Sequence, residues 1–131
     1  MKSYTDLEQS KKLAEILPLE SADNYYSWHD ERYYVVNKDC PYPYSLKEKI
    51  PCWSLAALLD VLPQIDEWIT PYGCKDDKLF QFDPKICKIW EHSITPSYKV
   101  TYSYALSTDI YDNLVDACYE MILKLHELNL L

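Results

Sequence analysis

Pro51-Cys52-Trp53-Ser54-Leu55-Ala56-Ala57-Leu58-Leu59-Asp60-Val61-Leu62-Pro63 is the stretch on which the fold turns. Ser54 stands where a hydroxyl can take up a free amide of a first helical turn, and Pro63 cannot continue a helix. Leu55, Leu58, Leu59 and Leu62 fall on one side at helical spacing, while Ala56, Ala57 and Val61 leave almost no polar face. A helix apolar nearly all round is usually central, so the spacing predicts that this is the most buried element of the chain.

Two further helices flank it. Thr5-Asp6-Leu7-Glu8 has the form of a capping box and predicts a helix from Asp6 to about Leu17, ended by Pro18. Between Asn113 and Leu128 the residues Leu114, Cys118, Met121, Leu125 and Leu128 recur at alternating spacings of four and three, with Val115 and Ile122 widening the stripe. Asp112, Asp116 and Glu120 line the other face, Glu120 stands four residues before Lys124, and acids early with His126 late suit the helix dipole.

The segments between change period. Asn24 to Asn37 carries Tyr25, Tyr26, Trp28, Tyr33, Tyr34, Val35 and Val36 around the polar tip His29-Asp30-Glu31-Arg32, the pattern of a hairpin. Cys40-Pro41-Tyr42-Pro43-Tyr44 reads as a stiff connector, because two prolines remove donors. Asp66–Thr70, Lys78–Phe82, Ile86–Trp90 and Tyr98–Leu106 are candidate strands. The last is clearest, since Val100, Tyr102, Tyr104 and Leu106 alternate with Thr101, Ser103 and Ala105. The expected fold is α+β: an antiparallel sheet of about four or five strands packed against two or three helices, in one domain spanning residues 1–131.

Composition removes more functions than it suggests. Gly73 is the single glycine among 131 residues, so loops that cradle a phosphate or a dinucleotide through positive φ and close backbone approach have no material here. No cofactor is expected. The five cysteines (40, 52, 74, 87 and 118) form no CxxC pair, no apolar leader follows Met1, and no uncharged run approaches the roughly 20 residues a membrane helix needs. A reduced, cytoplasmic protein with no membrane association is the expectation. The net charge of −8 sets most of the surface against a phosphate backbone, so nucleic acid is an unlikely partner. Residues 109–131 alone contribute −4, from Asp109, Asp112, Asp116, Glu120 and Glu127 against Lys124.

Candidate chemistry is sparse. Cys52 lies just before the central helix, where an amide dipole stabilises a thiolate, yet a free cysteine between Pro51 and Trp53 is more often a small buried hydrophobe. His29, Asp30 and Glu31 with His92 are possible metal ligands, but their spacing fits a solvated hairpin tip better, and no metal site is assigned. The rings stand out. Tyr25, Tyr26, Trp28, Tyr33, Tyr34, Tyr42 and Tyr44 place seven large amphipathic groups in twenty positions, more than one half-buried hairpin inters. Tyrosine and tryptophan offer apolar area and a polar tip at small entropic cost, so these seven are the candidate protein-binding residues.

The run from Ile50 to Pro63, the earlier Ser21-Ala22-Asp23 followed by tyrosines, and the closing Val115-Asp116-Ala117-Cys118-Tyr119-Glu120-Met121-Ile122-Leu123-Lys124-Leu125 resemble a family of small proteins of Bacteroides-type gut genomes and of phages or prophages. The resemblance spans most of the chain. No activity, cofactor or site residue is assigned to that family, so it implies context alone: an accessory protein of a phage or mobile element in a bacterial cytoplasm. The expected function is therefore non-catalytic binding of an unknown protein partner, in an unspecified oligomeric state. The alternatives are an acidic mimic of DNA that inhibits a DNA-binding protein or nuclease, and a thiol-dependent enzyme using Cys52.

Overall fold

Ser54 starts the central helix as its position implies: its Oγ accepts from the Ala57 amide at 3.2 Å. The computed structural model describes residues 2–29, 31–39, 49–64, 84–90, 95–103 and 106–131, which divide into two compact units, Met1–Val61 and Leu62–Leu131. The architecture is α+β, as expected, with three helices and two antiparallel three-stranded sheets among the described residues in place of one sheet of four or five strands. The candidate strands at 66–70 and 78–82, and the Cys40 to Tyr44 connector, lie outside those residues.

In the first unit, α1 (Leu7–Ala14) is followed by a single 3-10 turn (Leu19–Ser21), β1 (Asn24–His29), β2 (Arg32–Asn37), β3 (Ile50–Cys52) and α2 (Leu55–Val61). The capping box of α1 is one residue later than the sequence pattern indicates. Asp6 Oδ1 accepts from the Gln9 amide at 2.8 Å, and Gln9 Oε1 accepts from the Asp6 amide at 3.1 Å. Thr5 is displaced from that task because it is fully buried, its Oγ1 2.7 Å from Ser10 Oγ and accepting from the Trp53 amide at 3.2 Å. A hydroxyl committed to the interior cannot also cap.

The sheet order is β2-β1-β3, with His29 opposite Arg32 and Tyr25 opposite both Val36 and Pro51. A two-residue connection closes on a hydrogen-bonded pair, and the antiparallel alternation then makes Asn24–Cys52 and Tyr26–Ile50 the bonded pairs toward β3. Pro51 falls between them, at a position that needs no donor toward β1, which is how a proline enters this strand. Glu31, in the turn, takes φ 62°, the left-handed region that glycine favours.

The second unit runs β4 (Lys85–Ile89), β5 (Ser97–Ser103), β6 (Leu106–Ser107) and α3 (Leu114–Glu127), with sheet order β4-β5-β6. The alternation from Tyr98 to Leu106 does not belong to one strand: Leu106 lies in β6, opposite Ser103, and a register shift restores it to the buried side with Val100 and Tyr102. Period-2 patterning is blind to a chain reversal that keeps the same face inward. Asn113 caps α3 by accepting from the Asp116 amide at 2.8 Å. Its far end is a Schellman motif, in which Leu130 N–H donates to Leu125 O, Asn129 N–H donates to His126 O, and Asn129 at φ 56° stands where most chains use glycine.

Burial ranks the helices differently from the composition of α2. Val115, Ala117, Cys118, Met121, Ile122 and Leu125 of α3 are buried, whereas α2 buries Ala57 and Leu58 and exposes Ala56 and Asp60. The seven-residue α2 is too short to be enclosed on every side, and Ala56 and Asp60 are left on its outer side.

Candidate functional site

The register of β1 and β2 sorts the aromatic residues onto two faces. Tyr26, Trp28, Tyr33 and Val35 share one, while Tyr25, Ser27, Tyr34 and Val36 share the other. On the first, the rings of Trp28 and Tyr33, directly cross-strand, meet edge to face at 4.8 Å between centroids, and Tyr33 meets Tyr26 at 6.4 Å. Tyr26 is occupied structurally: its hydroxyl donates to Thr5 O at 2.6 Å, and burial, then the neighbouring Cys52, push its pKa up to about 12. Trp28 and Tyr33 remain 42% and 39% exposed, and Tyr34 on the opposite face 46%. Tyr25 is half-buried, with Lys49 Nζ 5.3 Å from its ring centroid. Tyr42 and Tyr44 lie outside the described residues.

Ser27 occupies the middle of the second face, opposite Tyr34, and is 2% exposed. Its Oγ is the one buried side-chain oxygen or nitrogen without a hydrogen-bond partner among the described residues. The hairpin thus keeps large rings in solvent while burying a hydroxyl, the reverse of what packing alone favours.

The Cys52 motif is interior. Cys52 and Trp53 are wholly buried. The Cys52 thiol donates to Thr5 O at 3.6 Å, and desolvation raises its pKa. Trp53 Nε1 donates to Ser21 Oγ at 2.9 Å, and Asp23 accepts from the Ser54 amide at 2.9 Å and from the Ser54 hydroxyl. The Ser21-Ala22-Asp23 and Trp53-Ser54 segments therefore bind each other, one supplying acceptors and the other donors. A thiol that is closed off and held protonated is a poor nucleophile at neutral pH.

Two carboxylates of the C-terminal helix are similarly engaged. Glu120 lies 3.5 Å from Lys124 Nζ, accepts from the Asp109 amide at 3.2 Å, and hydrogen-bonds Tyr111, pushing that phenol up to about 12. Asp116 accepts from Asn113 Nδ2 at 2.7 Å. Lys124 offsets the charge of Glu120, whereas Asp116, held by a neutral amide, keeps its own, so the phosphate-like array is weakened at Glu120.

Two features escaped the sequence reading. A hollow of about 280 Å³ is lined by Glu20, Asp23, Asp39 and Asp60 with Lys38 and the α2 alanines among its other walls. Its carboxylates come from three separated segments, so no spacing rule finds it. In the second unit Ile86 of the outer strand β4 and Trp90 just past its end are exposed, with Lys88 Nζ 4.8 Å from the Trp90 ring centroid. The sequence marks Ile86–Trp90 as a candidate strand but not its exposure. Among the described residues no group of three or more His, Cys, Asp or Glu is placed to hold a metal ion; His29's side chain, Asp30 and His92 are outside them. No described helix is long and apolar enough to cross a membrane. Comparison with protein-family models, curated proteins and solved structures finds no match to this chain.

Proposed function

We propose that this chain is a non-catalytic protein-binding accessory protein, of phage or mobile-element context in a bacterial cytoplasm, and that it engages its partner through Trp28, Tyr33 and Tyr34. The observation that carries this is the exposed edge-to-face pair Trp28–Tyr33 with Tyr34 exposed on the reverse face of the same two strands. Rings already ordered against each other lose little further freedom on binding, and Trp and Tyr dominate the energetics of protein interfaces. Tyr26 anchors this pair to the chain near Thr5, so the presenting surface is fixed before a partner arrives.

The test is affinity capture from the host with the intact chain and with a Tyr33→Thr/Tyr34→Thr variant whose circular dichroism matches it. Threonine keeps the strand preference while removing the rings. Loss of the captured protein supports the proposal; a partner retained at full strength by the folded variant rejects it.

A further inference from the structure

The outer edge of β2 offers a sharper statement about what the hairpin binds, and it rests on the reading of that hairpin as a protein-binding surface. The first sheet has two outer strands, β3 and β2. β3 is three residues long and carries Pro51, whose missing donor falls on its outward side, so it is a blunted edge. β2 is six residues long, and from Tyr33 to Asn37 it has no charge, no proline and no glycine. By the alternation that pairs His29 with Arg32, the backbone groups of Tyr33, Val35 and Asn37 point away from β1, and no described strand receives them. Arg32, Tyr33 and Tyr34 are exposed and Val35 and Val36 half-buried.

We infer that β2 pairs antiparallel with β2 of a second copy of this chain, about a two-fold axis at Tyr34. Only registers that match outward-facing residues with each other are allowed, and charge chooses among them. Centring on Val35 sets Arg32 against Lys38 and Glu31 against Asp39 of the other copy, like against like. Centring on Tyr34 sets Arg32 against Val36 and Glu31 against Asn37, and brings Glu31 to within one position of Lys38 at each end. The same register faces Tyr33 with Val35 twice and Tyr34 with its own copy, combinations of aromatic and β-branched residues that stabilise adjacent strands. The chain's −8 is not concentrated here: Asp30, Glu31 and Asp39 against Arg32 and Lys38 leave −1 over residues 24–39. The product is one six-stranded sheet, with the Trp28–Tyr33 pairs of both copies on a common face.

Sedimentation of the full chain tests this, together with two variants at the axis and one beside it. The expected mass is twice the 15.5 kDa of one chain. Tyr34→Cys, a non-hydrogen-bonded position facing itself, crosslinks under mild oxidation well beyond the wild type, while Tyr33→Cys does not. Tyr34→Lys, with native circular dichroism, sediments as a single chain; should it fail to fold, the Tyr34→Cys and Tyr33→Cys comparison decides alone. A single-chain mass at every concentration overturns the inference, as does a dimer in which Tyr34→Cys crosslinks no better than Tyr33→Cys. A single chain whose captured partner is still lost in the Tyr33→Thr/Tyr34→Thr variant overturns self-pairing while leaving the protein-binding surface intact.

Discussion

The indole of Trp53 donates to the hydroxyl of Ser21 at 2.9 Å across 32 residues of chain, and the Ser21 hydroxyl in turn donates to Pro18 O at 2.6 Å. Two residues beyond Ser21 and one beyond Trp53, Asp23 holds both the amide and the hydroxyl of Ser54. These bonds join the 3-10 turn to the start of α2 and account for why both short motifs stand out in the sequence.

Removing either side of that junction should be costly. Trp53→Ala deletes a wholly buried ring and is expected to lose about 3–5 kcal/mol. Asp23→Ala leaves the Ser54 amide and hydroxyl without their acceptor and is expected to lose about 2–3 kcal/mol. Equilibrium urea denaturation measures both; a loss under about 0.5 kcal/mol for Asp23→Ala would show the junction to be incidental.

Glu31 pays for its left-handed φ of 62° with steric strain. Glycine relieves about 1–2 kcal/mol and returns part of it as unfolded-state entropy, so Glu31→Gly is expected to stabilise the chain by about 0.5–1 kcal/mol. Thermal unfolding followed by circular dichroism checks the sign, and a lowered Tm contradicts the turn geometry.

Ser27→Ala removes the buried Oγ that has no partner and is expected to raise stability by about 1 kcal/mol, against the ordinary trend of core substitutions. The same urea titration reports it. A comparable destabilisation would mean that the hydroxyl is satisfied in solution.

Alkaline pH should weaken the fold through neutral groups that resist ionisation. Burial pushes Cys118 from 9.0 up to about 12, and burial does the same to Tyr26 from 10.0; for Tyr111 the hydrogen bond to Glu120 leads. A folded-state value above the unfolded one means stability is whole below the unfolded pKa and is lost as pH rises through the folded one. The expected decline begins near 9 with the thiol, is joined near 10 by the phenols, and continues to about 12. In parallel, Cys52 and Cys118 should resist a thiol reagent near neutral pH until the chain is unfolded; rapid labelling of Cys52 in the native protein would revive it as a nucleophile.

What the sequence disclosed was local. The apolar stripe from Leu114 to Leu125, the Ser54 cap and the hairpin depend on neighbours within a few positions, and each is found where its pattern puts it, with His29 and Arg32 of the polar tip already paired in the strands. What it hid depends on distant chain. Thr5 looks like a cap until Trp53 and Ser10 claim its hydroxyl. Leu106 looks like a continuation of β5 because alternation survives a reversal. For the candidate surface, the count of rings was legible, but which of them stand in solvent was not: Tyr26 and Trp28 are two residues apart on the same face, and a single hydrogen bond to Thr5 O engages the hydroxyl of the first alone.

That the hairpin's outer rings serve a partner rather than the fold is tested most directly by urea unfolding of Tyr33→Thr/Tyr34→Thr beside Trp53→Ala. The partly exposed pair should cost about 1–2 kcal/mol together, chiefly the edge contact with Trp28, against about 3–5 kcal/mol for the buried indole. A double variant that loses as much as Trp53→Ala, or that fails to fold, would contradict the account by making those rings part of the core.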